Sequence, residues 1–201
     1  KSCHWIPFDT QDGDEYWKAL QYVGQWTLAN HRSIHQRCLD LPNTQTITVF
    51  GNEHNFVWKR GASFYHGKGA TPSWYVGGKP TIGIIPLNMG EPILLTTATN
   101  NDSLLSFAPH GAGRNMSRTA TLAPFKDDPE ALAAEVAKQT EGLDVRWFSG
   151  KADLSECPLG YKNAQQVRNQ IEYFNLANLI GEVHPIGCVM AGEQPQPWRK
   201  K

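Results

Sequence analysis

Ala108-Pro109-His110-Gly111-Ala112-Gly113-Arg114-Asn115-Met116-Ser117-Arg118 is the most telling stretch of this chain. A histidine stands before two glycines separated by one methyl side chain, and Arg114 and Arg118 follow, four residues apart. Small residues let backbone amides come close to an anion, because no bulky side chain holds the ligand off. Arginine's planar fork matches phosphate oxygens in pairs. A histidine beside such amides has three roles open to it: base, metal ligand, or nucleophile on phosphorus. The same residues also suit a plain glycine-rich turn with scattered charge. The stretch alone leaves both readings open.

Bulk properties narrow the classes. At 201 residues the chain has the length of one domain with a substantial core, since domains usually run to roughly 100–200 residues. Nineteen basic and nineteen acidic residues balance, so no global field draws the chain to nucleic acid. A polyanion must be held by a local cluster. Cys3, Cys38, Cys157 and Cys188 lie far apart with no C-x-x-C pair, which argues against a zinc site of cysteines. Nothing resembles a small disulfide-stapled secreted scaffold, so a reduced, cytoplasmic setting is expected. No apolar run approaches the roughly 20 residues of a membrane span, and no signal-peptide pattern opens the chain. It opens Lys1-Ser2-Cys3-His4-Trp5 without methionine, which fits processing or a piece of something longer.

Around the motif the pattern reads as α+β. Residues 14–40 are expected to form a helix, with Tyr16, Leu20, Val23, Thr27 and Ile34 at helical spacing, Asp12 or Asp14 as cap, and Pro42-Asn43 as stop. Thr46-Ile47-Thr48-Val49-Phe50 and His54-Asn55-Phe56-Val57-Trp58 read as two short strands around a Gly-Asn turn. Further strands are expected at 63–65, 81–85, 93–97 and 104–107. Asp128-Pro129-Glu130 starts a helix striped by Leu132 with Val136 and Ala133 with Ala137, ending at Gly142. Another helix is expected from Asn163, with Gln166 in the capping-box place, through Val167, Ile171 and Phe174 to Gly181. No repeat or linker divides the chain.

Other residues carry chemical possibilities of their own. His31 and His35 stand four apart on the first helix, able in geometry to share a metal, but no third ligand follows, so a solvated helix face is the simpler reading. His54, in Asn52-Glu53-His54-Asn55-Phe56, has the surroundings of a metal-ligating imidazole with a supporting amide at Asn55. Tyr65-His66-Gly67-Lys68-Gly69-Ala70-Thr71 is a second small-residue loop with a cation, loosely like a phosphate loop but without Walker spacing. Pro86-Leu87-Asn88-Met89-Gly90 is a tight turn that equally well just joins two strands. Tyr161-Lys162 precedes a helix start, where amides favour anions; a buried tyrosine with its hydroxyl satisfied explains it equally.

Taken in order, these pieces resemble a known family. His54-Asn55-Phe56, His66-x-Lys68-Gly69-Ala70-Thr71, Ile85-Pro86-x-x-Met89-Gly90, His110-Gly111-Ala112-Gly113-Arg114-x-Met116-Ser117-Arg118 and Pro158-x-x-Tyr161-Lys162 resemble the RtcB RNA ligases. Tyr16, Ala19, Ala29-Asn30 and Arg32 look like that family's long helix, and Pro185-Ile186-Gly187 with Val189 like its C-terminal segment. The resemblance implies an α+β fold with a mixed sheet, flanking helices and a loop-rich nucleotide site, within a larger single domain. Residues 1–201 would be its C-terminal portion, without the upstream metal-binding portion.

The implied function is a GTP- and manganese-dependent ligase joining an RNA 3′-phosphate, or a 2′,3′-cyclic phosphate after hydrolysis, to a 5′-hydroxyl end. By resemblance His110 is the nucleophile that forms a covalent GMP-histidine intermediate, and His54 is a manganese ligand. Asn88, Met89, His110, Gly111, Ala112, Gly113, Arg114 and Tyr161 would contact the nucleotide, and Lys68, Arg114 and Arg118 phosphates or RNA. The implied partners are RNA ends, the upstream portion of the same ligase and an archease-type activator. Three features depart from the family. Its upstream motifs with further metal ligands do not occur in this chain. Ile93 stands where the family commonly has serine, and Met190 where it often has a guanine-contacting lysine.

Overall fold

The computed structural model describes residues 5–40 and 45–191. The chain divides into two compact units, Lys1–Val49 and Phe50–Lys201.

The first unit is one long helix, α1 (Gln11–Leu39). Its cap is Thr10, whose hydroxyl accepts from the Gly13 amide at 3.2 Å. Asp12 and Asp14, expected as caps, instead lie inside the first turn, where their charge favours the helix N-terminus. The stop expected at Pro42-Asn43 lies outside the described residues. Residues 46–50, expected as a strand, form no regular element and pair with no strand among the described residues. Ile47 is 94 % exposed. β-branched residues favour extension, but a strand needs a partner to satisfy its amides.

The second unit begins with the hairpin β1 (Val57–Arg60) and β2 (Ser63–His66), paired from Val57↔His66 to Arg60↔Ser63. β3 (Ala70–Pro72), β4 (Tyr75–Val76) and β5 (Lys79–Pro80) follow, then β6 (Ile82–Pro86) and β7 (Ile93–Ala98). The strand expected at 104–107 forms only from Phe107, as β8 (Phe107–Pro109). Leu105 and Ser106 have φ of 57° and 53°, and two consecutive left-handed residues turn the chain out of any strand. Ser106 offsets this by donating from its amide to Asn101 O and from its hydroxyl to Asp102.

Two helices, α2 (Arg118–Leu122) and α3 (Pro129–Gln139), precede β9 (Asp144–Arg146). Asp128 caps α3 as expected, accepting from Ala131 N at 2.9 Å. Val136 is buried and Leu132 half-buried beside it, but Ala133 and Ala137 are exposed, and the helix ends at Gln139, before Gly142. α4 (Ala164–Tyr173) is capped by Asn163. It does not reach Gly181: Asn175 turns left-handed at φ 49°, and Leu176 N closes the helix end on Ile171 O at 2.9 Å. The apolar run beyond is instead β10 (Ala177–Val183), and β11 (Gly187–Val189) follows.

The class is α+β. β10, β7 and β6 form one antiparallel sheet in that order, with a register shift between Leu179 and Gly181. Among the described residues parallel pairing is confined to β11 with β9, and helices and antiparallel sheets make up the rest of the mixed α+β architecture. Leu94 and Ile85 on one sheet face pack with Val167 and Ile171 of α4 and with Ala108, Ala112 and Ala177. A second cluster joins Val136, Leu154 and Cys157, with Met89, Leu132, Phe125 and Trp147 around it. Ser73 ties the pieces together, donating to Leu176 O at 2.6 Å and accepting from Thr99 N at 3.3 Å.

Leu94 is 2 % exposed in this core. Leu94→Ala is expected to cost about 2–5 kcal/mol, read as a lower urea midpoint with unchanged slope.

Candidate functional site

The site is assembled by a three-residue ladder. β3 pairs with β8 at Ala70↔Pro109, Thr71↔Ala108 and Pro72↔Phe107. The pairing places the His66–Gly69 loop beside His110, whose amide donates to Gly69 O at 3.3 Å. Gly69 has φ +67°, and the Cδ2–Nε2 edge of His110 lies just under 4 Å from where its Cβ would be. A side chain there would be strained and would crowd the imidazole.

The segment before β1 is fastened to the same ladder. Thr71 Oγ1 donates to Glu53 O at 2.9 Å, Gly69 N to Asn55 Oδ1 at 2.7 Å, and Asn52 Nδ2 to Ile84 O at 2.8 Å. These bonds hold His54 over His110, the rings stacked with centroids 4.6 Å apart and planes within 9°. His54 is exposed and His110 half-buried. Asn55 thus supports the site through the Gly69 loop.

After His110 the chain runs between β6 and the segment before α4. The amides of Gly111, Ala112 and Gly113 donate to no backbone carbonyl among the described residues. The Ala112 methyl belongs to the core. Lys162 N donates to Gly113 O at 3.0 Å and the Lys162 side chain lies beside Gly113.

Arg114 turns into the fold. Its guanidinium lies 4.9 Å from the Tyr161 ring centroid, donates from Nε to Met116 O at 3.0 Å and from Nη2 to Thr121 Oγ1 at 3.4 Å. Its Nη1 is buried with no hydrogen-bond partner. Gly160 permits this packing, since a Cβ there would stand 2.6 Å from Nη2.

Arg118 stays at the surface and bonds Glu156 Oε1 at 2.6 Å. Tyr161 donates its hydroxyl to the other Glu156 oxygen at 3.3 Å. Burial, and then the Glu156 charge, push the Tyr161 hydroxyl above the usual tyrosine range.

The remaining expected residues sit as follows. Asn88 accepts from Gly90 N at 2.9 Å, shaping the turn that joins β6 to β7. Met89 packs in the second cluster, so its side chain serves the core. Lys68 is exposed in the loop before Gly69. Met190 and Glu156 line a cavity of about 440 Å³ together with Trp147 and Asp153. Ile93 begins β7 and is exposed.

Glu156 was missed in the sequence; the signal was an acidic residue two before Pro158, in the segment that carries Tyr161. No three His, Cys, Asp or Glu side chains converge as a metal site among the described residues. No described helix is long and apolar enough to cross a membrane.

Fold and site define a class: α+β domains that carry a histidine in a glycine-rich loop bearing arginines. The chain belongs to the RtcB family, matching the model described as tRNA-splicing ligase RtcB over residues 1–191. It is similar to the tRNA-splicing ligase RtcB of Thermococcus kodakarensis, 24 % identical over 211 residues, covering 90 % of this chain and 43 % of that protein. The Pyrobaculum aerophilum protein of the same name is 31 % identical over 139 residues, covering 67 % and 28 %. The RNA-splicing ligase RtcB of Escherichia coli K12 is 25 % identical over 194 residues, covering 90 % and 44 %. The chain therefore spans less than half the length of these relatives.

Removing the Glu156 charge should relax Tyr161. Glu156→Gln is expected to bring the Tyr161 phenol down towards its ordinary range. Ultraviolet titration, read as the difference from Tyr161→Phe in each background, measures it.

Proposed function

We propose that this chain is the nucleotide-accepting portion of an RNA ligase of the RtcB type, with His110 as the residue that takes GMP from GTP. The observation carrying the proposal is the setting of His110: half-buried, bonded to Gly69 through its amide, stacked on His54, and followed by three amides without carbonyl partners among the described residues.

The residues suit a guanosine triphosphate in part through these amides and through Lys68, Lys162 and Arg118, whose charges oppose phosphate oxygens. The buried, unpartnered Nη1 of Arg114 is a donor in want of an acceptor. For manganese the family resemblance assigns one ligand in this chain, the His54 imidazole, and transition metals take four to six ligands. The fit is to one corner of a site whose other ligands come from the upstream portion of the ligase. When bound, the metal would offset charge on phosphoryl oxygens.

His110 donates its ring lone pair to the α-phosphorus, a P–N bond forms, and pyrophosphate departs. It then releases GMP to the RNA 3′-phosphate, and the 5′-hydroxyl displaces GMP in line to complete the joint. His54 orients the ring by stacking. Arg114 acts from beneath, fixing the Gly160–Tyr161 segment against the loop. RNA ends, the upstream portion and an archease-type activator are the partners of this reading, and a cytoplasmic setting goes with it.

A second reading, a guanine nucleotide or RNA-end binding module without catalysis, is favoured by one observation: most of the Arg114 guanidinium is engaged within the fold.

Incubation with manganese and GTP labelled at the α-phosphate, with and without the upstream portion of a relative, separates the two. The ligase reading expects an acid-labile, alkali-stable label on the chain. His110→Ala should reduce it to background, and Arg118→Ala should raise the GTP concentration required several-fold. Tight GTP binding without label favours the module; label surviving His110→Ala overturns the role of His110.

A further inference from the structure

No aspartate or glutamate stands between Glu53 and Glu91, while Lys59, Arg60, Lys68 and Lys79 all do. In a chain whose charges balance overall, this is a local excess of positive charge. It coincides with the β1–β2 hairpin, which leads away from the His110 site.

The hairpin has two unlike faces. Directly opposed residues share a face and successive pairs alternate. Trp58, Arg60 and Tyr65 turn to one side, where Trp58 lies 5.6 Å from both Trp74 and Phe107, and the Arg60 guanidinium 4.6 Å from the Trp74 ring. This packing makes the hairpin rigid and ties it to β8, three residues ahead of His110. The other side carries Val57, Lys59, Phe64 and His66, with Lys59 Nζ 5.7 Å from the Phe64 ring centroid. Lys59, Phe64 and His66 are exposed, Phe64 to 40 %. Lys68 is exposed in the loop that follows.

We propose that this outward hairpin face is a stacking platform for single-stranded RNA, with Phe64 taking a base and Lys59 a phosphate, and that it guides the strand towards His110. An exposed ring beside a cation on a packed hairpin is the arrangement by which proteins bind unpaired nucleotides regardless of sequence, and the nearest acid in sequence, Glu53, is turned to the other side, where it accepts from Trp58 Nε1 at 3.2 Å. Four residue pairs extend about 10 Å from the site, enough to engage nucleotides next to the reacting end. That the polyanion is RNA rests on the ligase reading above; that it is an unpaired strand follows from the ring and its cation.

The test is fluorescence anisotropy of the full chain with an RNA of about 12 nucleotides, within the span of such sites. Phe64→Ala is expected to weaken binding about tenfold, and Phe64→Trp to retain it. Lys59→Ala should weaken binding and flatten its salt dependence by about 0.7 in the log–log slope. Circular dichroism melts confirm that each variant folds. Binding indifferent to Phe64 and Lys59 overturns the platform. So does an equal loss in the Trp and Ala variants, a preference for duplex RNA, or Phe64-dependent binding of polyglutamate in place of RNA. If no label reaches His110 but RNA binding depends on Phe64, the ligase reading falls and the platform stands. Label on His110 with RNA binding blind to the hairpin has the opposite meaning.

Discussion

The pairing of Ala70–Pro72 with Phe107–Pro109 is the constraint on which the rest of the site depends. Three short residue pairs join the loop before β3 to the motif after β8, and everything chemical lies at one end of that ladder. His110 is fixed by its own amide on Gly69, and His54 by a chain of bonds through Thr71 and Asn55 that ends on the same strand. A ladder so short is stable only because both strands are anchored elsewhere. Ser73, just beyond β3, bonds Leu176 on the far side of the core, and Ala108 is packed among Ile85, Leu94 and Val167.

The arginines of the motif illustrate how one sequence pattern divides its labour. Arg114 and Arg118 look equivalent in sequence, four apart after the glycines. In the fold Arg114 is drawn beneath Tyr161 and bonded to the backbone of its own loop, whereas Arg118 heads a short helix at the surface and meets Glu156. A guanidinium stacked on an aromatic ring and bonded to a carbonyl is well placed to stiffen a loop. An exposed one is available to a ligand that competes with the carboxylate for it. Glu156 bonds Arg118 and the Tyr161 hydroxyl, and the Tyr161 ring lies against Arg114, so the two arginines stand along one line of contacts.

Local rules reached different elements unequally. Asp128-Pro129 and Asn163 marked their helices because a cap is a local bond between a side chain and an amide two or three residues on. The strands at β2, β6 and β7 were legible in short apolar runs between glycines and prolines. The run from Leu176 to Gly181 was misread as helix, because an apolar stretch near a helix end satisfies either period and only its pairing with β7 decides. Residues 46–50 have strand chemistry but no strand partner among the described residues, and Leu105-Ser106 turn left-handed where two β-compatible residues were expected to run straight.

By itself the sequence determined the kinds of group at work: a histidine in a glycine loop, a second histidine upstream, arginines after the glycines, and the ordered motifs that mark the RtcB family. These are matters of composition and spacing, which a single chain displays directly. Only the tertiary structure decided which groups meet. The stacking of His54 on His110, fifty-six positions later in the numbering, the inward turn of Arg114 and the sharing of Glu156 by Arg118 and Tyr161 all depend on strands and turns brought together across long stretches of chain. Such contacts are set by the packing of the core and the register of β3 against β8, neither of which any local spacing encodes.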